Sequence, residues 1–142
     1  MSEQLDLNPL LISRQRLAEG LARYQQDTSD TQVCDGLVQR FEFTYEISHK
    51  MLKRYLESTS ATPADYDAMA FADLIRSANE QGLLEGSWAE WKLYREMRSK
   101  TSHTYNEEVA LEVVEGIPAF LAETGFLLKQ LVVRNQAGRN QP

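Results

Sequence analysis

From Thr31 to Ser58 the chain runs without a proline, and Cys34, Leu37, Val38, Phe41, Tyr45, Ser48, Leu52 and Tyr55 recur at the spacing of one helical face. Ile47 and Met51 widen that face. A helix of this length gains most of its stability by burying its apolar stripe against neighbours, so the segment demands other helices around it. The width of the stripe exceeds what one neighbour needs. It fits either a homodimer interface or a wider intramolecular core.

The flanking segments supply those neighbours. Asn8-Pro9 reads as a helix start, with Asn8 as N-cap, and Leu10, Leu17, Leu21 and Tyr24 continue it to about Gln26. Asp27 to Thr31 is a polar link in which Ser29 and Gln32 fit a capping box. Thr62-Pro63 with Asp65 opens a third helix, carrying Tyr66, Met69, Ile75 and Ala78 and stopping at Gly82. Ser87 and Glu90 form a second capping box ahead of Trp88, Trp91, Tyr94 and Met97. A last helix starts near Asn106 and runs through Val109, Val113, Ile117, Phe120, Leu127 and Leu131, with Pro118 placed to kink or split it. Seven Gly and four Pro in 142 residues leave too little turn material for an all-β sandwich. The expected fold is all-α: an antiparallel up-and-down four-helix bundle with an additional short helix and a kinked last helix. Residues 1–133 form its single domain, and 134–142 a flexible polar tail.

Composition narrows the function classes. The formal net charge of -6 excludes a broad basic coat for nucleic acid, so any attraction for phosphate must be local. Cys34 is the sole cysteine, which rules out an intrachain disulfide and makes it a small buried hydrophobe rather than a reactive thiol. With His49 and His103 the only histidines, no metal site is expected, and no cofactor motif such as a phosphate-cradling glycine loop is present. No apolar run is long enough to span a membrane, and the acidic start Met-Ser-Glu-Gln-Leu-Asp lacks a secretory basic region. A cytoplasmic protein is expected.

One segment departs from the acidic background. Between Lys92 and Tyr105, four basic residues (Lys92, Arg95, Arg98 and Lys100) stand against the single acid Glu96, and His103 joins them. Between Tyr105 and Thr124 there are five acids and no base. The basic island reads either as the solvated C-terminal end of a helix, its charges answering the dipole, or as a phosphate-directed site. Ser102 beside His103 is not a nucleophile and base pair, because adjacent helical side chains diverge by about 100°.

Arg98, four intervening residues, His103, Thr104 and Tyr105 match the Arg-x4-His-x-Tyr motif, and the chain resembles the HEPN superfamily. More narrowly it is similar to the nucleotidyltransferase substrate-binding protein family, also called the HepT toxin family. The resemblance also rests on Arg40-Phe-Glu-Phe-Thr-Tyr-Glu-Ile-Ser-His-Lys50, Leu52 to Leu56, Ala78 to Leu84 and Asn106-Glu107-Glu108, in order from about Arg14 to Leu131. It implies a helical homodimer that works with an adjacent-gene minimal nucleotidyltransferase, either as a toxin that cleaves RNA or as a non-catalytic substrate-binding subunit. In the toxin reading Arg98 and His103 are catalytic, and AMP attached to Tyr105 inactivates the protein. Arg95, Lys100, Ser102 and Glu46 are the supporting residues, Glu46 as a holder of Arg98 or His103. Two positions depart from the family pattern: Ser99 follows the motif arginine where many HEPN nucleases have Asn, and His49 stands where relatives often have Trp.

The implied chemistry needs no metal. A histidine, with a reference pKa of about 6.5, serves as general base toward an RNA 2'-hydroxyl near neutral pH. An arginine offers a planar, permanently charged fork as charge builds on the phosphate. A tyrosine beside them orients the phosphate or stacks on a base. On an ideal helix, however, residues five apart lie about 140° from one another around the axis. Arg98 and His103 therefore converge only if the helix ends near His103, or if two copies meet across a dimer axis. The turn signal at Thr104-Tyr105-Asn106 places the site at the end of the fourth helix, paired with its symmetry mate.

Overall fold

The computed structural model describes residues 5–139. Five helices follow one another: α1 (Asn8–Gln26), α2 (Thr31–Thr59), α3 (Phe71–Glu80), α4 (Trp88–Lys100) and α5 (Glu107–Arg139). One turn of 3-10 helix, Pro63–Tyr66, precedes α3, and another, Thr101–His103, follows α4. There is no strand among the described residues. A four-residue link turns α1 back onto α2, and α5 packs against α1, α2 and α4. The architecture is the expected all-α bundle, with α3 as its short extra helix.

Local hydrogen bonds set the boundaries, and several differ from expectation. Helix α1 includes Asn8 instead of being capped by it: Asp6 Oδ1 accepts the Asn8 N–H at 3.0 Å, and Pro9 falls in the first turn, where no N–H is needed. The cap of α2 is Asp30, whose Oδ1 accepts from the N–H groups of Gln32 and Val33 at 3.1 and 3.2 Å. Ser29 is diverted to Asp27, so the anticipated box does not form. The third segment divides into the 3-10 turn and α3, with Tyr66 Oη and Ser77 Oγ 3.2 Å apart holding the turn to the helix. Gly82 then adopts φ 77°, a left-handed conformation that glycine takes without steric cost. The Ser87–Glu90 capping box forms, and Asn106 Oδ1 caps α5 by accepting from Glu108 and Val109.

Helix α5 passes through Pro118 without ending, so the chain is not split there. Nor does it fray at Arg134. The helix continues to Arg139 because Arg134 donates to Tyr55 Oη at 3.2 Å and to the Gln81 carbonyl, and lies over the Tyr55 ring. Asn135 Nδ2 donates to the Leu5 carbonyl at 3.0 Å. Helix α5 thus takes in 134–139 of the stretch read as a polar tail, and 140–142 lie outside the described residues.

The core is aromatic at its centre. Phe120 sits edge-on to Phe41 and Tyr94, with ring centroids 4.9 and 5.2 Å away, and Trp91 packs on Tyr94 at 5.3 Å. Trp91, Phe41 and Phe120 are fully buried. Phe43 stays outside this cluster and is half exposed beside the exposed Ile12 of α1, because it lies on the opposite side of α2 from Phe41 and Tyr45. Gly116 lets α5 close on α4: a Cβ there would stand 2.3 Å from Met97 Sδ, one residue before Arg98. Glu123 fixes the link between α3 and α4, its carboxylate accepting from the N–H groups of Glu85 at 2.9 Å and Gly86 at 2.7 Å. No helix among the described residues is long and apolar enough to cross a membrane.

Candidate functional site

The α-helical ladder of α4 stops at Lys100, and the chain tightens into the 3-10 turn that carries His103. Thr101 makes this change of pitch. Its hydroxyl donates to the Arg98 carbonyl at 2.8 Å and accepts from Arg98 Nη1 at 3.1 Å, tying the arginine to the helix end. Thr104 Oγ1 donates to the Thr101 carbonyl at 3.2 Å, and the Asn106 N–H reaches the His103 carbonyl at 3.2 Å. The turn is thereby closed by its own backbone. His103 and Tyr105 are both exposed on it, with ring centroids 6.4 Å apart and planes at 71°. Because the α-helix ends before His103, the ideal 140° divergence from Arg98 does not apply.

Arg98 reaches across to α2. Its Nη2 lies 2.5 Å from Glu46 Oε1 and 3.3 Å from Glu42 Oε1, with about a third of the arginine side chain still accessible. Of the two partners anticipated for Glu46, the geometry selects Arg98. Glu42 was not anticipated. Its signal in the sequence is its position four residues before Glu46, which puts both carboxylates on one side of α2. Thr101 was likewise missed, since a threonine after a helix carries no distinctive pattern.

The other supporting residues do not join this cluster. Lys100 Nζ pairs with Glu112 Oε2 of α5 at 2.8 Å, and that hydrogen bond raises its pKa. Arg95 turns its guanidinium over Phe71, 5.8 Å from the ring centre. Ser102 is exposed on the 3-10 turn. The basic surplus counted along 92–105 is therefore largely answered in the fold, by acids that α2 and α5 bring to it. A linear charge count does not see partners distant in sequence. His49 packs edge-on against Phe71 at 4.7 Å, and burial, then Lys53 and Arg95, hold its pKa below the ordinary value. That keeps it a neutral packing residue. Cys34 is half-buried, and burial pushes its thiol pKa up. Among the described residues no group of three or more His, Cys, Asp or Glu side chains could hold a metal ion.

Comparison with known proteins gives the family. The family model described as nucleotidyltransferase substrate binding protein like matches residues 5–133. A protein of Haemophilus influenzae described as a probable ribonuclease HepT is 46% identical over 101 residues, covering 71% of this chain and 68% of the relative. A solved structure from Haemophilus influenzae, described as the fold of a substrate binding domain of a nucleotidyltransferase, superposes with a TM-score of 0.83 at 36% identity. It covers 89% of this chain and 98% of that one. The chain belongs to the nucleotidyltransferase substrate-binding protein family.

Proposed function

We propose that the protein is a HepT-like toxin: a metal-independent endoribonuclease, acting as a homodimer under the control of a nucleotidyltransferase. The observation that carries this reading is the helix end itself, where Arg98 is held by Thr101 and His103 and Tyr105 are presented to solvent within one short turn. His103 takes the proton from an RNA 2'-hydroxyl, whose oxygen attacks the adjacent phosphorus. The bond to the 5'-oxygen breaks and that oxygen takes a proton from water, leaving a cyclic phosphate and a free 5'-hydroxyl. Arg98 faces the phosphate as negative charge builds on its oxygens. The half-exposed Phe43, which lines one groove with the exposed Ile12, provides an apolar face for the second copy.

Control acts through Tyr105, which at 86% exposure stands out further than the other exposed large hydrophobic residues among those described. Its phenolic oxygen attacks the α-phosphorus of ATP in the transferase site, pyrophosphate leaves, and the phenol proton is lost. The AMP ester then places negative charge and bulk beside His103 and opposes RNA entry. A second reading, that of a non-catalytic substrate-binding or regulatory subunit of the transferase, is favoured by the description of the solved relative. Co-expression with a neighbouring transferase separates the two. The toxin reading expects growth arrest when the protein is expressed alone, relief on co-expression, and an AMP-sized mass increment that Tyr105→Phe abolishes. Unimpaired growth with the protein alone supports the subunit reading instead.

A further inference from the structure

Beside Tyr105 the bundle carries a groove of about 460 Å³, within the range of small-molecule pockets, formed where the α1–α2 link meets the start of α5. Its apolar surface comes from the buried ring of Tyr24, from Cys34 and from the exposed side chain of Leu111. Hydrogen-bonding capacity comes from the hydroxyl of Thr31 and the carboxylates of Asp35 and Glu107. The described residues lining it include no Lys, Arg or His.

We infer that this groove is a nucleoside subsite, which receives the adenosine of the AMP carried on Tyr105. Three features select that half of the nucleotide. Carboxylates and hydroxyls accept from the adenine amino group and the ribose hydroxyls, which are donors. The exposed side chain of Leu111 accepts the face of a base, which stacks on any flat or apolar surface. Two acids without a cation repel phosphate, so the phosphoryl group stays outside the groove, on the Tyr105 oxygen and toward His103. Tyr105 itself is one wall, so a nucleoside tethered to it needs no further reach. The docked adenosine fixes the ester over the helix end. Modification then closes the site by holding the phosphate in place as well as by adding charge.

The inference rests on Tyr105 as the modified residue, but its test uses neither transferase nor RNA. The full chain, labelled with 15N, is titrated with AMP, with adenosine and with inorganic phosphate. Saturable shifts at the amides of Thr31, Cys34 and Leu111 are expected with AMP and with adenosine, and none with phosphate. Thr31→Trp fills the groove from an exposed position, and Asp35→Lys inverts its charge from another; each is expected to weaken AMP binding at least tenfold while leaving the far-UV circular dichroism unchanged. Absence of shifts at those amides, equal shifts with phosphate alone, or undiminished binding in both folded variants overturns the inference. The mass measurement on Tyr105 decides the modification separately.

Discussion

The guanidinium of Arg98 on α4 faces two carboxylates of α2 at once, Glu46 at 2.5 Å and Glu42 at 3.3 Å. One cation between two anions leaves a local negative excess where, in the proposed reaction, an RNA phosphate enters. The longer contact is the one a phosphate displaces more readily, while Glu46 with Thr101 orients the fork. Glu42→Gln is therefore expected to lower KM for RNA several-fold with kcat little changed, and to flatten the salt dependence of binding. Both carboxylates are partly exposed, so the substitution costs less than about 1 kcal/mol of stability. Steady-state cleavage at two salt concentrations checks this, and an unchanged KM counts against the clamp.

Glu123 gives a pH-dependent signature of the fold. Burial raises its pKa, against the lowering effect of the Gly86 and Glu85 amides. A carboxyl with a raised folded-state pKa contributes stability below its unfolded pKa and loses it as pH rises through the folded value. The contribution is thus present in acid and declines upward from the ordinary carboxylate value of 4.5. Glu123→Gln removes this titration while keeping an acceptor for one of the two amides. Urea midpoints taken from pH 4 to 8 are expected to show the stability of the variant, relative to wild type, rising over that window. A constant difference across the range contradicts the assignment.

Gly116 and Phe120 test the packing that sets α5 against α4. Gly116→Ala pushes a methyl into Met97, whose sulfur lies 2.3 Å from the new Cβ position, and overpacking of this kind costs about 1–3 kcal/mol. Phe120→Ala empties the centre of the aromatic cluster at a cost of about 3–5 kcal/mol. Because Met97 adjoins Arg98 in the chain, Gly116→Ala is also expected to reduce RNA cleavage more than its loss of stability explains. Denaturant melts together with activity measured well below the melting temperature separate the two effects.

Helix existence was legible because apolar residues at helical spacing, the Ser87–Glu90 box and Gly82 all act within a few residues of each other. Boundaries were less so. Asp27, Ser29 and Asp30 are all competent caps, and only their competition decides that Asp30 takes the Gln32 and Val33 amides. Arg134 looked like part of a polar tail because its partners, Tyr55 and Gln81, are distant in sequence. The same limit applies at the site. Arg98, His103 and Tyr105 stand out as a motif and as a helix end. The acids Glu42 and Glu112, which answer the basic island, come from other helices.

The proposal stands or falls on the chemistry at His103. Purified wild-type protein, incubated with RNA in excess EDTA, is expected to produce fragments ending in cyclic phosphate and beginning with a free 5'-hydroxyl. His103→Ala is expected to lower kcat by a factor on the order of 10² to 10⁴. Arg98→Lys keeps the charge but loses the planar fork, and a comparable loss is expected. His103 is exposed, so its removal leaves the melting temperature essentially unchanged. Cleavage that EDTA abolishes, or that persists at the wild-type rate in folded His103→Ala, contradicts the account.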